Sequence, residues 1–142
     1  KPGGIRNFDI KPFQTVLIDE LIPYIDANFA TIADQSHRAM AGLSMGGMET
    51  KTITLNKPEV FSHYALLSGG TYAPADIKDK SKVKLIFLSC GSKERPDGVK
   101  NAAAALKEAG FNAVSYVSEE TAHEFLTWRR SLYELAQLLF KE

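Results

Sequence analysis

The segment Lys84-Leu85-Ile86-Phe87-Leu88-Ser89-Cys90 is apolar almost throughout and is closed by Gly91. A strand wetted on one face alternates polar and apolar residues, so an unbroken apolar run predicts a strand covered on both faces, as in a parallel sheet sandwiched by helices. Parallel strands need long crossover connections, usually helical, so strands and helices should alternate along the chain. At 142 residues the chain has room for one such domain, spanning 1–142, with a real core and no need of staples.

Periodicity supplies the other elements. Residues 12–28 set Phe13, Val16, Leu17, Leu21, Ile22 and Ile25 on one helical stripe, with Pro12 suited to a first turn and Pro23 expected to kink or split the helix. Ala39-Met40-Ala41-Gly42-Leu43 reads as a short strand stopping at Ser44, and 45–55 as a helix ending near Asn56-Lys57-Pro58. Tyr64-Ala65-Leu66-Leu67-Ser68 is a second buried strand, closed by Gly69-Gly70 and followed by a polar loop, 71–82, that is expected to be mobile. The Ala-rich stretch 99–109 predicts a helix stopped by Gly110, and Ala113-Val114-Ser115-Tyr116-Val117 a fourth strand. Phe125, Trp128, Leu132, Leu135, Leu138 and Leu139 recur at helical spacing in a closing helix, 124–140. The order predicts a doubly wound α/β sheet of four parallel strands.

Composition removes several functions. Seventeen basic and seventeen acidic side chains give a net charge of zero with no basic cluster, so nonspecific binding to nucleic acid or to an anionic membrane has no electrostatic basis. No apolar run approaches the roughly 20 residues of a membrane helix. The opening Lys1-Pro2-Gly3-Gly4-Ile5 lacks a signal-peptide core and an initiator Met, as a mature form or an excised piece would. A lone cysteine, Cys90, excludes an internal disulfide and a multi-cysteine zinc cluster; at the end of a buried strand it reads as an inert apolar residue. No metal or organic cofactor is implied.

The chemistry sits at Gly42-Leu43-Ser44-Met45-Gly46-Gly47, which fits G-x-S-x-G where a strand turns directly into a helix. In such an elbow the serine occupies a strained turn, small residues on either side let the backbones approach, and the hydroxyl projects into solvent. The helix N-terminus favours negative charge on an attacked carbonyl oxygen, and the N–H of the following residue, Met45, is one oxyanion donor. A serine hydroxyl needs a histidine base and a carboxylate to orient that base. Of the three histidines, His37 lies in a polar stretch before the nucleophile strand, and His63 opens the second strand at the end of the sheet away from Ser44. His123 follows the fourth strand, on the same edge as Ser44 and in the chain order serine, acid, histidine. The acid belongs after the third strand, where Glu94 and Asp97 compete. Asp97 has a ready structural use as a helix N-cap and Glu94 has none, which favours Glu94. Glu119, Glu120 and Glu124 read as a solvated patch or first-turn helix residues, and Trp128, with Phe125 and Leu132, as core.

Leu21-Ile22-Pro23-Tyr24-Ile25-Asp26, the run from His37 to Gly47, Ser89-Cys90-Gly91-Ser92, and Thr121-Ala122-His123-Glu124-Phe125 with Trp128-Arg129-Arg130 together resemble the esterase-D-like family of α/β-hydrolases. That group holds feruloyl and acetyl xylan esterases of carbohydrate esterase family 1, enterochelin esterases and S-formylglutathione hydrolases. The resemblance implies Ser44 as nucleophile, His123 as base and Glu94 as acid, a place where many relatives carry Asp. It implies ester hydrolysis, with hydroxycinnamoyl or acetyl groups on plant cell-wall polysaccharide as substrates, and it leans towards secretion, although a lone cysteine suits the cytoplasm equally.

What is present resembles only the carboxyl-terminal portion of the family domain, so the fold is expected to lack the amino-terminal strands. The family's second oxyanion donor has no match here, and losing one such donor typically costs about 100- to 1000-fold in rate. The strand 39–43 would become an exposed apolar edge open to pairing with another copy. Three readings therefore stand beside the esterase: an incomplete hydrolase that self-associates or needs an amino-terminal partner; an acyltransferase or thioesterase with the same triad; and a flavodoxin-like or Rossmann-like module, which the absence of G-x-G-x-x-G spacing disfavours.

Overall fold

The computed structural model describes residues 9–141; the opening stretch Lys1 to Ile5 lies outside them. Four parallel strands, β1 (Ala39–Leu43), β2 (His63–Leu67), β3 (Leu85–Gly91) and β4 (Ala113–Ser118), lie in the unbroken order β1-β2-β3-β4. The helices are α1 (Lys11–Thr15), α2 (Ile22–Asn28), α3 (Met45–Asn56), α4 (Pro96–Glu108) and α5 (Phe125–Ala136). All seven residues of β3 and all five of β2 are buried, as the unbroken apolar runs require.

Alternate residues of each strand feed two cores. On one face Tyr64, Leu66, Ile86, Leu88 and Cys90 pack with Ile53 of α3 and with Val99 and Leu106 of α4, and Leu17 and Ile22 lean on the same cluster. On the other face Ala65, Leu67, Leu85 and Phe87 pack with Leu135 of α5 and with Trp128. Helices thus cover both faces unevenly. An unreversed strand order with crossovers of one hand puts α3 and α4 on the same side, and α5 alone, entering after the last strand, reaches the other. The helices expected on both faces are therefore present, with α5 alone on one of them.

Local details refine or correct the expectations. Pro23 does not split its helix: a π-helical turn, Val16–Leu21, precedes α2, and the Ile22 N–H reaches back to the Leu17 carbonyl. The wider turn lets the backbone run on, and Pro23 falls in the first turn of α2, where its missing N–H needs no partner. α4 begins at Pro96, so Asp97 lies inside its first turn and is not its cap. The segment 71–82 is organised by two short 3-10 turns, Pro74–Asp76 and Lys80–Lys82, and by buried Tyr72, whose hydroxyl meets Thr54 Oγ1 at 2.7 Å. α5 stops at Ala136, short of 140, and Phe140 turns back with φ 56° to set its ring 4.6 Å from that of His63.

Candidate active site

The carboxyl ends of the four strands are stitched into a staircase. Just past each of the first three strands an N–H donates to the carbonyl of its neighbour: Ser44 to Leu67 at 2.9 Å, Ser68 to Ser89 at 2.8 Å, and Ser92 to Ser118 at 2.8 Å. These bonds fix the relative heights of the residues that leave the sheet at this edge.

Ser44 leaves first, with φ 54° and ψ −119°, and stands at the N-terminus of α3. This strained backbone is what a sharp strand-to-helix turn imposes. Glycines make room for it. A Cβ on Gly47 would come 2.5 Å from the Gly69 Cα, and one on Gly42 would collide with the Gly46 carbonyl. Met45, the first helical residue, carries an N–H with no intrahelical partner by position, beside the Ser44 hydroxyl.

Glu94 sits on the turn after β3. Its N–H donates to the Gly91 carbonyl at 3.0 Å, and its Oε2 accepts from the Gly91 N–H and from the Ser68 hydroxyl, each at 2.7 Å. Burial pushes the carboxyl pKa up, but the Gly91 N–H, the Ser68 hydroxyl and His123 together hold it below its ordinary value. An ionised Glu94 follows.

His123 lies on the loop between β4 and α5, braced from beneath by buried hydroxyls. Thr121 Oγ1 donates to the Ser118 carbonyl at 3.0 Å, and Thr127 Oγ1 of α5 lies 2.7 Å from Thr121 Oγ1. The edge of Trp128 meets the imidazole at 5.0 Å between ring centres, nearly perpendicular. His123 Nδ1 is 2.7 Å from Glu94 Oε1, and Nε2 is 2.8 Å from Ser44 Oγ. An ionised carboxylate only accepts, so Nδ1 carries the proton and Nε2 is left to accept from the serine hydroxyl. Hydroxyl, imidazole and carboxylate in this order can lower the cost of deprotonating a serine during attack on an acyl carbon.

Ser44, His123, Glu94 and Met45, singled out from sequence, therefore come together. Asp97 does not join them, and it is the Glu94 carboxylate that meets His123. His37 is exposed and pairs with Asp34 at 2.6 Å. His63 is buried at the opposite end of β2, held by Ser62 at Nδ1 and by the Phe140 N–H at Nε2. Burial lowers its pKa and keeps it neutral there. Cys90 is buried with its thiol pushed up by burial, which leaves it unreactive. Sequence reasoning missed Ser68, read only as the last residue of a strand, and the Thr121–Thr127 brace. A serine at a strand end ahead of two glycines was the visible signal for the first; the second had none.

An apolar groove of about 850 Å³ lies between β1 and α5, lined by Leu43, Leu67, Phe125, Trp128 and Leu132 among others. No group of three or more His, Cys, Asp or Glu among the described residues is placed to hold a metal, and no described helix is long and apolar enough to cross a membrane.

The Esterase family model matches residues 9–137. A curated protein of Xylanibacter ruminicola, named endo-1,4-beta-xylanase/feruloyl esterase, is 62% identical over 141 residues, which is 99% of this chain but 19% of that protein. The feruloyl esterase module from Clostridium thermocellum, solved in complex with sinapinate, superposes with a TM-score of 0.76 at 20% identity, covering 96% of this chain and 60% of that one. The enterochelin esterase from Shigella flexneri gives 0.65 at 21% identity, covering 86% of this chain and 35% of that one. The chain thus spans about a fifth of the curated relative and little more than half of the feruloyl esterase module.

Proposed function

The chain belongs to the Esterase family, and from that premise we propose that it carries the triad of a serine carboxylesterase of the feruloyl-esterase type. Ser44 is the nucleophile, His123 the general base and acid, Glu94 the carboxylate that orients it, and the Met45 N–H an oxyanion donor. The observation that carries this reading is the continuous line of hydrogen bonds from Ser44 Oγ through His123 to Glu94.

In the first half-reaction the Ser44 proton passes to His123 Nε2 as Oγ adds to the ester carbonyl. The tetrahedral oxygen accepts from the Met45 N–H, and Glu94 stabilises the imidazolium. Collapse breaks the bond to the alcohol, which takes the proton from His123. In the second half-reaction water gives a proton to the same nitrogen, attacks the acyl-serine and releases the acid with Ser44 restored. Hydroxycinnamoyl or acetyl esters of plant cell-wall polysaccharide are the proposed substrates. The name of the closely similar relative supports the first.

A second reading is favoured by one observation. β1 pairs only with β2 among the described residues, so its outer edge is open, as in a hydrolase whose site is completed by further chain or by a second copy. One experiment separates the two. Hydrolysis of methyl ferulate and of p-nitrophenyl acetate is measured with this chain and with Ser44→Ala. Turnover abolished by the substitution supports the esterase; folded protein without Ser44-dependent turnover contradicts it and favours the incomplete hydrolase. An oligomer by light scattering would then identify self-association.

A further inference from the structure

Ser68 is the second serine in this molecule to leave a strand with a left-handed backbone: it follows β2 with φ 49°, as Ser44 follows β1 with φ 54°. Glycine adopts such angles freely and serine does not, and the chain places glycine at both following positions but not here. A strained non-glycine residue persists where its side chain has a use. The use is visible in the contacts: the backbone is fixed by the Ser68 N–H on the Ser89 carbonyl, and the hydroxyl donates to Glu94 Oε2 at 2.7 Å.

A glutamate has three rotatable bonds, and its carboxylate can turn either oxygen, or neither, towards a partner. In this site Oε2 is held by two donors, the Ser68 hydroxyl and the Gly91 N–H, and Oε1 alone faces His123 Nδ1 at 2.7 Å. Both donors on Oε2 are neutral, so they orient the carboxylate without cancelling its charge. The titratable groups around Glu94 are His123 from the loop after β4, Cys90 from β3, and Lys93 and Arg95 on its own turn. Among the described residues only His123 ion-pairs with it.

We propose that Ser68 is a positioning residue of this site: with the Gly91 N–H it pins one oxygen of Glu94 and thereby aims the other at His123. The inference rests on the triad reading above and goes beyond it by placing a fourth side chain behind the three.

The test compares Ser68→Ala, Ser68→Gly and Ser68→Asn. Alanine removes the hydroxyl at the same backbone cost, glycine removes both hydroxyl and strain, and asparagine tolerates the backbone and restores a neutral donor. The expected result is a fall in kcat on methyl ferulate of about tenfold in both Ala and Gly variants, the scale of one hydrogen bond to a charged group, with KM unchanged and partial recovery in Asn. The far-downfield proton resonance of His123 Nδ1–H should move upfield or broaden in the same two variants. A merely structural serine would alter stability, most of all in the strained Ala variant, and leave both readouts in place. Unchanged kcat and an unchanged resonance in Ala and Gly, with Ser44→Ala inactive, would overturn the proposal and spare the triad. Turnover insensitive to Ser44→Ala would overturn both. In protein without turnover the resonance alone decides.

Discussion

β1 and β3 are short apolar strands of one sheet, yet every residue of β3 is buried while β1 runs from half-buried to exposed. Neighbours make the difference. β3 has β2 and β4 beside it and helices on both faces, whereas β1 has β2 alone, and apolar grooves flank it on both sides, one lined by Leu43 and Trp128 and the other by Phe13, Ile22 and Met40. The site straddles this contrast. Ser68, Glu94 and His123 leave strands or loops clamped by their surroundings, and Ser44 leaves the strand with one open side. What this teaches is that the His123–Glu94 half of the site is fixed by the described fold itself, while the support of Ser44 on its outer side is not.

Perturbing each side of that contrast should give graded effects. The largest expected effect is on turnover: His123→Ala should lower kcat on the order of 10^4-fold or more, measured with methyl ferulate, because the serine loses its base. Next, Phe87→Ala in β3 removes a side chain with no exposure at all and should cost about 3 to 5 kcal/mol in urea denaturation. A cost equal to that of a β1 substitution would break the comparison.

Glu94→Gln should show a pH-dependent stability difference. The folded carboxyl is held below its ordinary value of 4.5, so the native state favours the ionised form. The stability Glu94 contributes is then present above the unfolded value and lost as pH falls through the lower folded one. Melting curves of wild type and Glu94→Gln should therefore converge on acidification below that range. Divergence on acidification would contradict the assigned hydrogen bonds. Tyr72→Phe should cost about 1 kcal/mol, since Thr54 Oγ1 keeps its bond to the Thr50 carbonyl when the phenol is gone. The smallest effect belongs to β1: Leu43→Ala, 41% exposed, should change stability by less than about 1 kcal/mol.

Much of this was legible in the sequence, for reasons that differ by residue. Unbroken apolar runs marked β2 and β3 because burial on both faces leaves no polar alternation to confuse the reading. The meeting of Ser44 and His123 was legible because a serine on a strand-to-helix turn has a local signature and only one histidine follows a strand at the same edge. Glu94 was separable from Asp97 on helix-start chemistry, although Asp97 sits within the first turn of α4 and does not cap it. The split expected at Pro23 does not occur, because the proline falls in the first turn of α2 behind a π turn, and the sequence carries no local signal for such a turn. The anchoring of the 71–82 segment was not legible: Tyr72 meets Thr54, eighteen residues earlier. Ser68 escaped notice because its use lies in a long-range bond to Glu94 and in a backbone angle that sequence does not display.

The central claim is that four strand ends assemble Ser44, His123 and Glu94 into one reactive array. It is tested most directly by treating the protein with a fluorophosphonate and locating the adduct by peptide mass spectrometry. The account predicts a single stoichiometric adduct on Ser44 that is lost in His123→Ala. Folded protein that gives no adduct, or one on Ser44 that forms equally fast without His123, would contradict it.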